Sequence, residues 1–533
     1  MRRICLGWIA ALVSALGFGA PAAAERAIAP YIEVQQVLDA DFNNGGEVLT
    51  YTSVAAGVDA SVSNRRIAVG LSYRYERRIA WEDNLGDEDI HSGLSRARLA
   101  LVPNLLELEA GAIATRARGD IRGDAPTFLT VDNSNITQVI GFYGGPTLST
   151  HVGELMVGGS YQLGYVKVDD YDGVTLPPGQ PRLDNYESST SHNLSGSIGM
   201  ASGPLPFGWT VSAGYQREDA SQLDQRFEGA FARGAITLPV SSTLALTFGA
   251  GYEDIEISER APLRNSDGTP VISGNGRFVT DPNSPRLLAY ETDGLIYDAG
   301  VIWRPSPRTT AQVRAGKRYG ATAVTGSLDH RISPNSAIRV GVYHGIESFG
   351  RSLTRNLAAL PTDFQPSRNP LTGDFNSCIF GPNPGTGGCL DETLQSISTS
   401  NFRSRGVNLL YSARRGPWSL GIGAGYAQRR YLAPTGLFFT VDHVTDDSFM
   451  LQVTADRRLT ARSGIDFALY ADWYDSGIAG APGVTALGAT TAYYRSIGEQ
   501  LRAQAALGLY SFDREGSEAR ISGQALIGVR YDF

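Results

Sequence analysis

The chain is poor in the residues that usually build metal centres and nucleophilic sites. Its 533 residues include three cysteines and six histidines, and its only lysines are Lys167 and Lys317. The histidines are scattered, and none forms the paired spacing of a zinc hydrolase. The sequence therefore predicts that the protein is not an enzyme and has no cofactor and no metal.

Long apolar runs are also missing beyond the amino terminus, so no membrane-spanning helix is predicted there. The formal net charge is −8, and no basic stripe with interleaved aromatics indicates a nucleic-acid partner. At the start, Arg2 and Arg3 precede an apolar segment, and small residues 22–24 follow it. This pattern predicts a secretory signal peptide over residues 1–24 and one exported domain over residues 25–533.

Two cysteines, Cys378 and Cys389, lie beyond the predicted signal peptide in a stretch rich in glycine and proline. In an exported protein, two nearby cysteines favour a local disulfide. A metal site there is disfavoured because no histidine or further cysteine lies close by. We therefore expect a disulfide between Cys378 and Cys389.

The carboxyl terminus has the alternation of an amphipathic strand. Apolar and polar side chains alternate from Ile521 to Phe533, and a period of two puts them on opposite faces of a strand. The final Val529, Tyr531 and Phe533 resemble the C-terminal signal by which outer-membrane β-barrel proteins are recognised and inserted. That resemblance implies an assembly signal at these three residues and the barrel-assembly machinery as a partner.

The same alternation recurs along the chain, with short turns and longer polar loops between successive segments. The longest connections, near residues 118–133, 169–188, 258–290 and 352–401, fall on one side of this alternation. We therefore predict an all-β fold, a transmembrane antiparallel up-and-down β-barrel with short periplasmic turns and long extracellular loops. About 22 strands are expected, within a range of about 18 to 24. A soluble propeller or β-helix is the rival, but it would require a repeated sequence motif.

If the apolar face is outward, a polar set of side chains lines the lumen. Amides, tyrosines and charges of both signs favour binding of carbohydrate hydroxyls, although polar interiors are general in such barrels and ion pairs there can simply brace the wall. The predicted lumen-lining residues are Asp298, Arg304, Gln312, Arg314, Arg318, Asp329, Arg331, Asp466, Tyr470, Asp472, Arg502, Gln504, Gln524 and Arg530.

One stretch carries a closer resemblance. Gly-x-x-Trp-Arg-Pro-Ser-Pro-Arg-Thr over residues 300–309 is followed by the segments 314–320 and 326–333. It is similar to the strand–turn–strand core of an outer-membrane β-barrel porin-like family found with exopolysaccharide export and exosortase (PEP-CTERM) loci. The resemblance implies a passive conduit or accessory porin for exopolysaccharide secretion in the Gram-negative outer membrane.

A conduit of this kind implies as partners outer-membrane lipid and lipopolysaccharide, the polysaccharide, and periplasmic export components. The alternatives are a diffusion porin for sugars and other small solutes, and a structural or surface-anchoring barrel. The loop 352–401 has no counterpart that we can match to the family. One hypothesis, which rests on the length and the cysteine pair of this loop, is that it folds inward, narrows the lumen and acts as a gate.

Overall fold

The computed structural model describes residues 25–43, 48–81, 87–120, 122, 135–170, 184–364, 367–394, 396–435 and 441–533. The predicted signal peptide at 1–24 lies outside the described residues. The described part of the chain contains 22 long strands joined in a single antiparallel sheet, and a separate two-stranded sheet.

The strands alternate with short and long connections. The first eleven are Glu25–Asp41 (β1), Val48–Ser63 (β2), Ile67–Ala80 (β3), Glu88–Val102 (β4), Leu106–Arg118 (β5), Ile136–Val152 (β6), Leu155–Val168 (β7), Ser188–Met200 (β8), Gly208–Ala220 (β9), Arg226–Pro239 (β10) and Leu244–Arg260 (β11). The others are Arg286–Ser306 (β12), Thr309–Arg318 (β13), Ala321–Ser333 (β14), Ser336–Glu347 (β15), Cys378–Phe380 (β16), Gly387–Cys389 (β17), Asn401–Arg415 (β18), Trp418–Leu432 (β19), Thr445–Thr460 (β20), Ser463–Ser476 (β21), Val484–Ile497 (β22), Leu501–Arg514 (β23) and Arg520–Asp532 (β24).

The large sheet closes on itself. Each long strand pairs with its neighbours in the chain, β15 pairs with β18, and β1 pairs with both β2 and β24. At the seam Val34 lies opposite Val529, and Ile32 lies opposite Tyr531. The fold is therefore a 22-stranded antiparallel up-and-down barrel, which confirms the predicted fold class and strand number.

Side-chain alternation explains why these segments form a barrel wall. Ile527, Val34 and Leu295 are well exposed, and the residues next to them along each strand face the interior. A belt of exposed apolar residues is what a wall in contact with lipid requires. The fold is thus that of a transmembrane β-barrel.

Among the described residues, no helix has the length and hydrophobicity needed to cross a membrane.

The connections differ between the two ends of the barrel. Turns such as those between β2 and β3 and between β14 and β15 are short and lie at the end that carries both Glu25 and Phe533. Short turns are periplasmic in barrels of this kind, so this end is taken as periplasmic. At the opposite end most connections are long. The shortest connection at this end is the two-residue turn Tyr319–Gly320, where positive φ angles of 56° and 66° suit a tight hairpin.

The connection between β15 and β18 folds into the barrel. We call residues 348–400 the plug segment. It contains helix α1 (Phe349–Ala359), the hairpin of β16 and β17, and a helical turn, α2 (Asp391–Leu394). A disulfide joins Cys378 and Cys389 across the hairpin. The predicted disulfide is therefore present, and the loop folds inward as the hypothesis requires.

Candidate functional site

Helix α1 anchors the plug segment to the wall through apolar packing. Its amino end is capped by Ser348, whose Oγ accepts a hydrogen bond of 3.1 Å from the backbone N–H of Arg351. Leu353 and Leu357 are fully buried and pack with Ile113 and Val166 of the wall. Spacing of four residues puts both leucines on one helix face, so α1 covers the inner face of β5 to β8 near its extracellular end.

A buried acid also holds the start of this helix. The Glu218 carboxylate, near the extracellular end of β9, accepts hydrogen bonds from the Ser348 hydroxyl and lies 3.2 Å from Nε of Arg351. The Arg351 guanidinium also lies 3.4 Å from the ring centroid of Phe227 on β10. Buried charges are tolerated when they are paired and hydrogen-bonded, and here the pair fixes where the chain crosses the barrel mouth.

The middle of the plug segment is held mainly by arginines of the wall. Arg116 on β5 contacts Asp374 at 2.6 Å through Nη2 and at 3.2 and 3.1 Å through Nε. The Thr372 carbonyl accepts from Arg78 at 2.9 Å and from Arg116 at 3.5 Å. Glu88 lies 3.3 Å from Arg78 and 3.5 Å from Arg116. These contacts form a buried ionic network between the plug segment and β3 to β5.

One arginine of the plug segment donates hydrogen bonds to the wall. Arg368 donates to Ser72 Oγ and to the Ser92 carbonyl, each at 3.1 Å, and also to Ser92 Oγ. Its guanidinium stacks 3.8 Å from the centroid of the Phe375 ring. Nearby, Asn369 donates to the Tyr510 hydroxyl at 3.3 Å. The segment is therefore also held by β3, β4 and β23, which lie on either side of the seam between β1 and β24.

The disulfide hairpin packs on β18 to β20. The Cys378 N–H donates to Gln452 Oε1 at 2.8 Å, and the Gly385 N–H donates to Ser412 Oγ at 2.8 Å. On β19, a Cβ at position 423 would collide with Cys378 Sγ and lie 2.7 Å from Cys389 Sγ. Glycine at this position lets the disulfide lie directly against the wall.

The other half of the lumen is open. We call the inner face of β8 to β15 the vestibule. Ser195 and Ser197 on β8, Thr210 on β9 and Thr325 on β14 point inward by register and are exposed. Hydroxyl-bearing side chains of this kind can donate to and accept from a solute. The plug segment thus fills one side of the barrel and leaves a polar face open on the other.

The vestibule is closed at its extracellular end. Inward side chains near that end are buried, including Phe227, Glu253 and Ile257. Phe227 and Ile257 pack in one cluster with Ile346 at the end of β15 and Leu432 at the end of β19. The inward side chains become more exposed toward the periplasmic end of the same strands. The vestibule therefore opens toward the periplasm.

A cavity of about 410 Å³ lies between the plug segment and the wall beside the vestibule. Arg339, Tyr343 and Asn408 line it from the barrel, and Arg355 and Asn356 line it from α1. Such a volume is in the range of small-molecule sites. It extends the polar surface of the vestibule underneath the plug segment.

The strand registers put every predicted lumen-lining residue on the inner face, but in two different settings. In the vestibule, Asp298 pairs with Arg233 and Asp329 pairs with Arg339. The remaining predicted residues of that half are Arg304, Gln312, Arg314, Arg318 and Arg331, and those of the plugged half are Asp466, Tyr470, Asp472, Arg502, Gln504, Gln524 and Arg530.

In the plugged half these side chains mostly meet other parts of the wall. Gln504 donates to Glu33, and Gln524 donates to Asp39 at 3.3 Å. Arg530 lies 2.7 Å from Asp532 and 3.6 Å from the centroid of the Tyr31 ring. The inner surface of this half is braced by contacts within the wall, which was the alternative to carbohydrate binding.

The anchors of the plug segment were not identified from the sequence. Arg74, Glu76 and Arg78 alternate along the polar face of β3, and this pattern was a visible sign of an interior ionic network. Arg116 and Asp374 gave no local sign of their contact because they are far apart in the chain. Within the described residues, no group of three or more His, Cys, Asp or Glu side chains is arranged to hold a metal ion.

The closed sheet, the apolar outer face and the internal segment define a transmembrane β-barrel with a partly plugged lumen. No family model matches the chain, and no curated protein matches its sequence.

Among solved structures, the chain is similar to the FrpB iron transporter from Neisseria meningitidis (F5-1 variant), with a TM-score of 0.44 and 9% identity over 94% of this chain and 82% of that one. It is also similar to the ferric-catecholate import receptor Fiu from E. coli K12 in its open form (TM-score 0.42, 11% identity, 95% and 81% covered). The outer membrane protein OpdK from Pseudomonas aeruginosa gives a TM-score of 0.30 and 8% identity over 95% and 99%. These similarities do not indicate a substrate for this protein.

Proposed function

We propose that this barrel is a passive outer-membrane conduit for a secreted exopolysaccharide. The observation that carries the proposal is the vestibule, which is polar, opens toward the periplasm and is closed at its extracellular end by packed side chains, among them Phe227, against which Arg351 of the plug segment lies. A polymer made inside the cell has to enter from the periplasmic end. The resemblance of residues 300–333 to the exopolysaccharide-associated family supports the same direction.

The chemistry of the vestibule suits a hydroxylated chain. Serine, threonine and amide side chains exchange hydrogen bonds with sugar hydroxyls as readily as with water, so a glycan can slide without a deep energy minimum. Barrels of this strand number are wide enough to hold an internal plug. Transport here needs no covalent step, and we propose no enzymatic role.

Passage requires that this closure opens, and we propose that α1 moves when it does, because Arg351 at the start of α1 lies against Phe227 of the closing cluster. A permanently open diffusion porin for small sugars would not need this displacement. A structural or surface-anchoring barrel would keep the plug segment in place at all times. Movement of α1 therefore separates the conduit from its two rivals.

A reversible cross-link tests that movement. A Cβ on Gly164 of β7 lies 3.3 Å from Cβ of Thr354 on α1, close to the usual separation in a disulfide. The Ser191 hydroxyl lies 2.5 Å from the same position, so the pair Gly164→Cys and Thr354→Cys is made in a Ser191→Ala background. Ser191→Ala alone and each single cysteine are the controls.

We expect deletion of the gene to abolish secreted polymer, and the wild type and all three controls to restore it. The double-cysteine variant should restore secretion only after a reductant is added, whereas reductant should leave the wild type unchanged. Unchanged polymer yield in the deletion strain would overturn the conduit. Normal secretion with a verified cross-link would instead overturn the requirement that α1 moves.

A further inference from the structure

The vestibule carries a surplus of positive charge on its inner wall. On β12 to β15, Asp298 is paired with Arg233 by bonds of 2.9 and 2.7 Å, and Asp329 is paired with Arg339 at 2.6 Å. Glu253 is buried, and Arg318 lies 3.7 Å from it. The acids of this surface therefore already have guanidinium partners.

Three further arginines lie on this surface. Arg304 on β12, Arg314 on β13 and Arg331 on β14 point inward by register, and none forms an ion pair with an acid in the described part of the chain. Arg304 and Arg331 are exposed and lie near the periplasmic ends of their strands, and Arg314 lies on the strand between them. Arg314 lies opposite Gly300 and Thr325, so it is about four to six residues farther from the periplasmic end than Arg304 and Arg331. At about 3.3 Å per residue along a strand and about 4.8 Å between strands, the three arginines form an elongated patch of the vestibule wall, roughly 20 Å long, that leads inward from the periplasmic end.

This patch contrasts with the rest of the molecule. The chain has a formal net charge of −8, yet its exposed inner wall near the periplasmic end is cationic. Guanidinium groups bind carboxylates through two parallel hydrogen bonds. Three such groups on one open face, without acids to neutralise them, favour an occupant that carries repeated negative charges.

We infer that the vestibule receives an acidic polysaccharide, one whose sugar units carry carboxylate or similar anionic groups, and that Arg304, Arg314 and Arg331 bind it where it enters. This inference rests on the proposed function and names the substrate class of the same site. The neutral hydroxyl groups of β8 and β9 lie on the same inner wall, three to six strands from the cationic patch, and contact the uncharged part of the polysaccharide.

The inference is tested by calorimetric binding to the purified full-length barrel in detergent at low salt. The probes are trigalacturonate, maltotriose as a neutral trisaccharide, and galacturonate as a single acidic sugar. The variant is R304Q/R314Q/R331Q. Its matched control is R65Q/R66Q/R462Q, which removes the same charge from exposed residues in periplasmic turns.

We expect trigalacturonate to bind at least roughly tenfold more tightly than maltotriose or galacturonate, with an affinity that falls as salt is added. R304Q/R314Q/R331Q should lose this preference, and R65Q/R66Q/R462Q should keep it. Equal binding of the neutral and acidic trisaccharides would overturn the inference, as would loss of the preference in both variants. Equal binding of galacturonate and trigalacturonate would overturn the assignment to a polymer.

These results are distinguishable from failure of the conduit itself. If secretion depends on the barrel but the acidic preference is absent, the conduit stands and the acidic class is wrong. If the preference is present but the deletion strain secretes normally, the patch stands as an anion site and the conduit is wrong.

Discussion

Replacement of Asp374 by alanine should release the central part of the plug segment. Asp374 is the acid closest to the buried Arg116 guanidinium, at 2.6 Å, and Glu88 on the wall is farther away at 3.5 Å. Removal of one partner of a buried ion pair costs about 3 kcal/mol or more because the other charge is left without compensation. At 1.4 kcal/mol per factor of ten, that loss shifts the docking equilibrium by on the order of 100-fold.

The expected result is a higher open probability in planar bilayers and faster protease cleavage of the plug segment. The barrel itself should keep its resistance to heat in detergent, since Asp374 belongs to no strand of the wall. Asp363→Ala is the matched control because Asp363 is an exposed acid of the same segment that forms no ion pair in the described part of the chain. Asp374→Asn should lie between the two, since it keeps an acceptor for Arg116 and loses the charge.

The reasoning is refuted if Asp374→Ala behaves like Asp363→Ala in both conductance and cleavage. Equal heat sensitivity of the barrel and the plug segment would also contradict it, since the two would then unfold as one unit.

Two further predictions concern the remaining contacts of the loops. Replacement of Cys378 and Cys389 by serine should remove about 3 kcal/mol of loop ordering and speed cleavage of the hairpin without lowering the heat resistance of the barrel; unchanged cleavage would contradict this. Burial raises the pKa of the Asp184 carboxyl to about 6, although Arg277 and hydrogen bonds from Phe278 and Gln222 oppose the shift. Because burial raises the pKa in the folded protein above the ordinary value, the folded state of the loops around Asp184 should be most stable below pH of about 4 and should lose stability as the pH rises through 6. Hydrogen exchange around Phe278, corrected for intrinsic rate, should show this, and Asp184→Asn should remove the pH dependence.

The wall of the barrel could be predicted from the sequence because the pattern that specifies each strand lies within that strand. A strand in contact with lipid on one side and water on the other must alternate apolar and polar side chains. The alternation around Gln524 and Arg530 therefore shows that both point inward, without any knowledge of the neighbouring strands. Short turns repeat on one side and long loops on the other, which gives the parity of the strands. The strand number and the inner face follow from these two signals.

The plug segment could be predicted only in outline. Its length and two cysteines indicated an inward loop, but its docking depends on contacts between residues such as Arg116 and Asp374, which are 258 positions apart. No periodicity connects such residues. The division of the lumen into a plugged half and a vestibule follows from those contacts, so the setting of each inward residue could not be read from the strand that carries it.

The two kinds of anchor in the plug segment differ in how readily they release. Leu353 and Leu357 of α1 lose contact with an apolar wall when they leave it, and exposing such side chains to water costs about 1.5–3 kcal/mol each. Arg368 and Asp374 can exchange their buried partners for water or for the charges and hydroxyls of a polymer in the lumen. A buried ion pair stabilises little more than an apolar replacement would, because desolvation opposes the attraction. The polar middle of the plug segment is therefore the part that an acidic, hydrated chain entering from the periplasm would displace first, and the displacement of α1 would follow as the slower and costlier step.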